Sequence, residues 1–371
     1  MSTKVAAIIT ACCLIDAAVV AWILFRTARV RIGLGHVVLA ASALCLAMLA
    51  QFALARPFGA SGFLAISFAY VGTFILAPLL GSALLVMSGR REIARAVRVL
   101  AWASLVLVPI GIYATFVEPY DLRTERASIP LSTARAGRTP IKIAVLADIQ
   151  CTKVTDHERD AVARAMAFEP DLILLPGDLV QVGEQRLPEI LDDFHALLAP
   201  LSAPLGVYFV QGNCETKEDA RRLLAGTPVH FLDNEVVELA LRDRRLTLCG
   251  VDLAFGSVQA RAALERIQSA EGEDDVRIVV AHRPDVIAAL TAGARVDLTI
   301  CGHTHGGQVR LPLVGPPITL SDVPRAIAAG GYHELGGQRI YVSRGIGWEH
   351  GQAPRVRFLC PPEVSLLTLG G

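Results

Sequence analysis

The chain has 371 residues, 53% of them hydrophobic and only 19% charged, with a mean hydropathy of +0.48. That excludes disordered and collagen-like chains, and the length allows one to three domains, each with a core. Basic and acidic residues balance at 35 each, but the first 118 residues hold nine basic and three acidic side chains and the remainder 26 and 32. The larger, mildly acidic part lacks the basic stripe that binding a phosphate backbone requires, so no nucleic-acid partner is expected.

Four apolar runs occupy 5–25, 33–54, 62–87 and 99–117. About 20 residues at 1.5 Å each cover a hydrocarbon layer of ~30 Å, and a helix satisfies its own backbone there without water. The pattern predicts an N-terminal four-helix transmembrane bundle over 1–118. The first run is too long for a cleavable leader and is followed by Arg26, Arg29 and Arg31 rather than by a small-residue cleavage pattern. Loops 26–32 and 88–98 carry seven arginines, against Lys4 and Arg56 on the other side. Short basic loops resist translocation, which predicts a multi-pass protein of the plasma (inner) membrane with the rest of the chain outside the cytoplasm. Asp16 inside the first run opens a transport reading, but a carboxylate bonded between helices is the simpler account. Pro78 and Pro109 are expected to kink their helices and no more.

Residues 119–140 lack periodicity and read as a linker, and a folded domain is expected over 141–371. Short β-branched runs there alternate with amphipathic stretches: strands near 141–146, 171–175, 207–210, 246–251, 276–281, 296–301, 339–343, 355–359 and 364–368, with helices near 156–168 and 187–199. This is an α/β succession with both sheet faces covered. Five cysteines beyond the apolar runs are odd in number and scattered, which indicates no disulfide framework.

Polar residues follow directly on five of these strands: Asp148 and Gln150; Gly177 and Asp178; Gly212, Asn213, Cys214 and Glu215; His282; and Gly302, His303 and His305. In an open α/β sheet, ligands bind beyond the carboxyl ends of the strands, so these groups are expected to converge. Carboxylates, carboxamides and imidazoles are the donors that divalent manganese, iron or zinc accepts. Glycines beside Asp178, Asn213 and His303 are expected to let the backbone turn sharply. Any one strand-terminal Asp or His would be a cap or a packing residue; the five in order are not readily so explained. His157, His195, His230, His333 and His350 lack this setting and read as surface or packing residues.

These motifs resemble the calcineurin-like metallophosphoesterase superfamily. The run G-H-T-H-G-G-Q at 302–308, the sequence Ser343 to Gly347, Arg357-Phe358 and Pro362-Glu363 are similar to its bacterial membrane-bound branch. The resemblance implies a four-layer α/β/β/α sandwich and two divalent metal ions, Mn²⁺, Fe²⁺ or Zn²⁺. The first would be held by Asp148, Gln150, Asp178 and His305 and the second by Asp178, Asn213, His282 and His303, with Asp178 bridging. It further implies that Asn213 helps to fix a scissile phosphate and that Glu215 orients its neighbours.

Two positions depart from that pattern, which has histidine where this chain has Gln150 and Cys214. A glutamine carbonyl still donates an oxygen. A thiol of ordinary pKa ~8.5 is a poor proton donor to a leaving alkoxide at neutral pH, which favours a pyrophosphate or activated diester. Enzymes that cleave UDP-2,3-diacylglucosamine also depart from histidine at the latter position, so a lipid-linked phosphoester or diphosphate is an expected substrate. The alternative is a metal-binding membrane sensor with weakened catalysis.

Overall fold

The computed structural model describes residues 11–22, 31–58, 62–89, 92–270, 272, 275–291, 293, 295–351 and 353–370. The chain divides into two units, Met1–Val117 with Glu349–Arg355 and Glu118–Trp348 with Val356–Gly371.

In the first unit three helices are long and apolar enough to cross a membrane: Leu34–Ala55, Gly62–Met87 and Arg95–Tyr120. Of the first expected span, the described residues form the shorter helix Ala11–Trp22; the remainder of 5–25 lies outside the described residues, as do Arg90 and Arg91 of the basic loop. The prolines act as their chemistry requires. A π-helical turn, Gly72–Leu76, immediately precedes Ala77 and Pro78 and absorbs the missing amide. The last helix breaks at Val106, three residues before Pro109. Asp16 takes a hydrogen bond from Gln51 Nε2 at 2.5 Å, the inter-helix partner that a half-buried carboxylate needs.

The second unit holds two mixed six-stranded sheets. Its strands are β1 (Arg123–Ile129), β2 (Ile141–Val145), β3 (Leu172–Pro176), β4 (Val207–Val210), β5 (Val229–Phe231), β6 (Glu235–Leu241), β7 (Arg244–Val251), β8 (Val276–Ala281), β9 (Leu298–Cys301), β10 (Gly331–Leu335), β11 (Gln338–Val342) and β12 (Glu363–Leu369). One sheet runs β1-β12-β2-β3-β4-β5 and the other β10-β11-β9-β8-β7-β6. Within them β2 to β5 are parallel, as are β7, β8, β9 and β11.

The central strands are buried along their whole length, as parallel strands covered on both faces must be. Ile143, Val145, Leu172 and Leu174 of one sheet pack with Leu246, Ile278, Val280 and Ile300 of the other, forming the inner core. Outside the first sheet lie helices Asp156–Ala167, Leu187–Leu198 and Lys217–Leu224, which supply Ala161, Phe194 and Leu223 to a second core. Helix Val258–Ser269 covers the second sheet with Ala260, Leu264 and Ile267. The order is helix, sheet, sheet, helix. Side-chain caps set the helix starts: Thr155 and Glu158 form a capping box, and Thr216 and Ser257 accept from the third amide of theirs.

Two expectations need correction. The segment 119–140, read as a linker, contains β1, which pairs in parallel with β12 along its seven residues. Its alternating, mostly exposed Arg-Thr-Glu-Arg is an edge-strand pattern, too polar to register as a buried strand. The strand expected at 355–359 does not form; only an isolated bridge joins Phe358 to Val309. Arg357 is wholly buried there, its guanidinium bonded to loop carbonyls, and Pro361 and Pro362 offer no amide to a ladder.

Candidate metal centre

Each polar cluster stands at the carboxyl end of a parallel strand: Asp148 and Gln150 after β2, Asp178 after β3, Asn213 to Glu215 after β4, His282 after β8, and His303 and His305 after β9. Asp148, Asp178 and His282 come together, their ligand atoms all within 4.8 Å of one another and all buried. His282 Nδ1 is 3.7 Å from Asp148 Oδ1 and its Nε2 is 3.4 Å from Asp178 Oδ2.

The two imidazoles have their tautomers set by backbone carbonyls, which only accept. His282 Nδ1 lies 2.8 Å from Pro176 O and His303 Nε2 lies 3.3 Å from Leu320 O. Each ring therefore carries its proton on that side and turns a bare nitrogen inward. Those nitrogens, His282 Nε2 and His303 Nδ1, face each other at 3.1 Å, with Asn213 Oδ1 3.0 Å from the former. Together with Asp178 Oδ2, four acceptors meet with no donor of their own, an arrangement that only a cation or a proton relieves. The residues thus fit a divalent ion.

The electrostatics of the cluster agree. Burial opposes a charge on His282, but Asp178 and Asp148 outweigh it and push its pKa up to about 9, so the metal-free cluster holds a proton. Burial pushes Asp148 up to about 7. Asp178 is also buried, yet His282 and the Cys214 amide, 2.8 Å from its Oδ1, hold it below the usual carboxylate range. Burial and the neighbouring His282 lower His303 to about 4. His305 is held well below its ordinary value by burial and by Arg357, whose Nη2 is 3.4 Å from its Nδ1. Neutral imidazoles are what a metal takes.

Five of the seven expected ligands, Asp148, Gln150, Asp178, His303 and His305, have φ between 40° and 72°. The left-handed region costs a residue with a Cβ about 1–3 kcal/mol, and such strain gathers at functional sites. The glycines serve differently from expectation. Gly177 has φ 87°, but Gly212 and Gly302 are not in that region. They give room instead: a Cβ on Gly212 would lie 2.1 Å from Asp178 Oδ1 and one on Gly302 2.6 Å from Asp148 Oδ2.

Gln150 Nε2 donates to Gln181 Oε1 at 3.0 Å and to Cys214 Sγ at 3.2 Å, so the two unusual positions touch each other. Asn213 is exposed at the mouth and Cys214 half-buried. Glu215 is buried and clamps two strand ends, its carboxylate accepting from the amides of Gly212 (2.7 Å), Asp178 (3.1 Å) and Leu179 (3.0 Å). His157, His195 and His333 bond to the backbone carbonyls of Ile346, Arg222 and Gly330.

Sequence reasoning missed the groups that orient the donors. The Pro176 and Leu320 carbonyls, Gln181 and Arg357 carry no periodic signal; Arg357 entered only as part of a family-like ending. It donates to the carbonyls of Arg344 (2.9 Å), Gly345 (3.3 Å) and Cys360 (3.1 Å). The loop it holds bonds to the first ligand segment, Ile346 N to Ala147 O at 3.0 Å and Gly347 N to Asp148 O at 2.7 Å.

Buried oxygen and imidazole donors at the strand ends of a two-sheet α/β sandwich define a metal-binding α/β protein. A model of the calcineurin-like phosphoesterase family matches residues 141–307. The chain is 31% identical over 266 residues to phosphodiesterase YaeI of Escherichia coli (strain K12), covering 69% of this chain and 92% of that one. It is 31% identical over 277 residues to an uncharacterized metallophosphoesterase of Aquifex aeolicus (72% and 98% covered), and 28% identical over 276 residues to the uncharacterized metallophosphoesterase YkuE of Bacillus subtilis (69% and 88%). The chain belongs to the calcineurin-like metallophosphoesterase family and is a metal-dependent phosphoester hydrolase.

Proposed function

We propose that this chain is a membrane-anchored phosphoesterase with two divalent ions, Mn²⁺, Fe²⁺ or Zn²⁺, hydrolysing a phosphodiester or pyrophosphate bond of a lipid-linked substrate such as UDP-2,3-diacylglucosamine. Asp178, Asn213, His282 and His303 would hold one ion, and Asp148, Gln150, Asp178 and His305 the other. The observation that carries the reading is the meeting of His282 Nε2, His303 Nδ1, Asn213 Oδ1 and Asp178 Oδ2 without a donor among them. When bound, the ions supply Lewis-acid stabilisation of charge on phosphoryl oxygens and lower the pKa of water.

The chain's own groups do the rest. Asn213, exposed at the mouth, would turn its Oδ1, beside His282 Nε2, to the ion and present its Nδ2 to the scissile phosphate. Glu215 keeps the Asp178 and Asn213 loops in register through its three amide bonds. Cys214, held by Gln150, stands where a stronger acid would protonate a leaving oxygen, so good leaving groups, a phosphate monoester among them, suit the site best. Three apolar helices support anchoring, which keeps the site near lipid headgroups and raises the effective concentration of an amphiphilic substrate. An extracytoplasmic catalytic domain belongs to the same reading.

The test is hydrolysis of bis-p-nitrophenyl phosphate by the full chain with Mn²⁺, alongside Asp178→Ala. Turnover is expected in the parent and a loss of more than about 100-fold in the variant, since charge stabilisation of this kind contributes 10²–10³ per group. Metal bound without turnover on any ester or diphosphate would instead establish the sensor.

A further inference from the structure

Of the eight large apolar side chains that are exposed in the second unit among the described residues, five lie on one loop, Leu311, Leu313, Val314, Ile318 and Leu320, and a sixth is Leu359. The loop and Leu359 share one edge: Arg310 N donates to Phe358 O at 2.8 Å, and Phe358 N to Gln308 O at 2.9 Å. A tight turn closes the loop tip, with Leu311 N 3.0 Å from Gly315 O. Three leucines of the patch, Leu313, Leu320 and Leu359, have φ of 66°, 53° and 52°. Bulky residues avoid this region, so the backbone is strained in order to hold leucines out toward the surroundings. Water offers no compensation for either feature, and an apolar medium does.

The patch adjoins both the metal centre and Glu118, the residue at which the second unit begins. The Leu320 carbonyl is the group that orients His303. The amides of Leu359 and Cys360 are bonded to the carboxylate of Glu118, which one peptide bond joins to Val117, the last residue of the helical unit. Tyr120, exposed two residues further on, adds the amphipathic ring favoured at a membrane interface. We infer that the 311–320 loop and Leu359 form an interfacial foot that seats in the lipid surface and holds the His303 rim of the metal centre against the headgroups. The occupant is bilayer lipid. The inference rests on the proposed function for the identity of the substrate, but not for the contact itself.

The test uses the full chain in bilayers of phosphatidylethanolamine and phosphatidylglycerol, with photoreactive p-benzoylphenylalanine substituted for Leu313 or, as an exposed apolar control on helix Val258–Ser269, for Val258. Lipid adducts at 313 are expected to exceed those at 258 by at least about fivefold, as insertion of one patch requires. Equal yields at the two positions, or adducts at 313 mainly to a second copy or another protein, would overturn the foot. A functional arm combines Leu313→Asn, which tolerates positive φ, with Val314→Ser. Turnover of soluble bis-p-nitrophenyl phosphate should stay within about twofold, while hydrolysis of a phospholipid presented in the bilayer falls about tenfold, in proportion to lost apolar contact. An equal loss on both substrates would count against the inference. If the parent hydrolyses neither ester yet position 313 takes lipid, the phosphoesterase reading fails and the foot stands; turnover without lipid adducts gives the reverse.

Discussion

His303 Nδ1 lies 3.1 Å from His282 Nε2, and neither nitrogen has a proton to offer the other, because each ring spends its own on a main-chain carbonyl. Such a contact is stable only with positive charge between the partners, and pH should reveal which charge is present. Without metal, Asp148, Glu215 and His282 are raised to about 7, 8 and 9. Raised folded-state values stabilise fully at low pH, and the gain is lost as pH climbs through them. Asp178, held low, and His303, at about 4, change below this window. The melting temperature of chelated protein should therefore fall between about pH 6.5 and 9. With Mn²⁺ it should rise over that interval, because the ion competes with the same protons. Parallel profiles with and without Mn²⁺ would contradict this account.

Gly302→Ala places a methyl 2.6 Å from Asp148 Oδ2. The aspartate, already in a left-handed conformation, has little freedom to yield. Metal content measured by elemental analysis and turnover should both drop, turnover by roughly 10–100-fold as for other changes that misorient a ligand. Retention of both would mean that Asp148 is not held as tightly as its surroundings require.

Cys214→His restores a proton donor next to Gln150. General acid catalysis contributes 10²–10⁴, so turnover of an alkyl phosphodiester should increase by at least about tenfold, with little change on bis-p-nitrophenyl phosphate. An unchanged or lower rate on the alkyl ester removes the leaving-group explanation for this position.

Arg357→Met keeps the volume of a buried side chain but removes every hydrogen bond to the carbonyls of Arg344, Gly345 and Cys360. Each stranded acceptor costs about 1–3 kcal/mol. For the three carbonyls together this is at least about 3 kcal/mol, so a drop in melting temperature of at least about 6 °C follows for a domain of this size. A variant as stable as the parent would show that the guanidinium is not what holds the 343–347 loop.

Alkaline phosphatase fused after Val117 should be active in a Gram-negative host if the arginine-rich loops face the cytoplasm. An inactive fusion, with a cytoplasmic reporter active at the same junction, would reverse the orientation.

The strands ending at Asp148, Asp178, Asn213, His282 and His303 were legible because buried parallel strands are unbroken apolar runs, and a polar group directly after one marks its end. Edge strand β1 was not, since its exposed face reads as solvent-loving loop. Nor was the tail at 355–359, where a buried arginine replaces ladder bonds with side-chain bonds that no periodicity encodes.

Residue order alone determined which donor types exist and that each follows a strand, because hydrophobic patterning acts locally. It could not determine which nitrogen of each imidazole is bare. That depends on Pro176, 106 positions from His282 and brought alongside only when the two sheets pack face to face, and on Leu320, 17 from His303 and brought alongside by the path of the loop between β9 and β10. Nor could it say that scattered leucines would share one edge with Glu118, for hydrogen bonds across more than two hundred residues are formed by the fold and left unwritten in any local pattern.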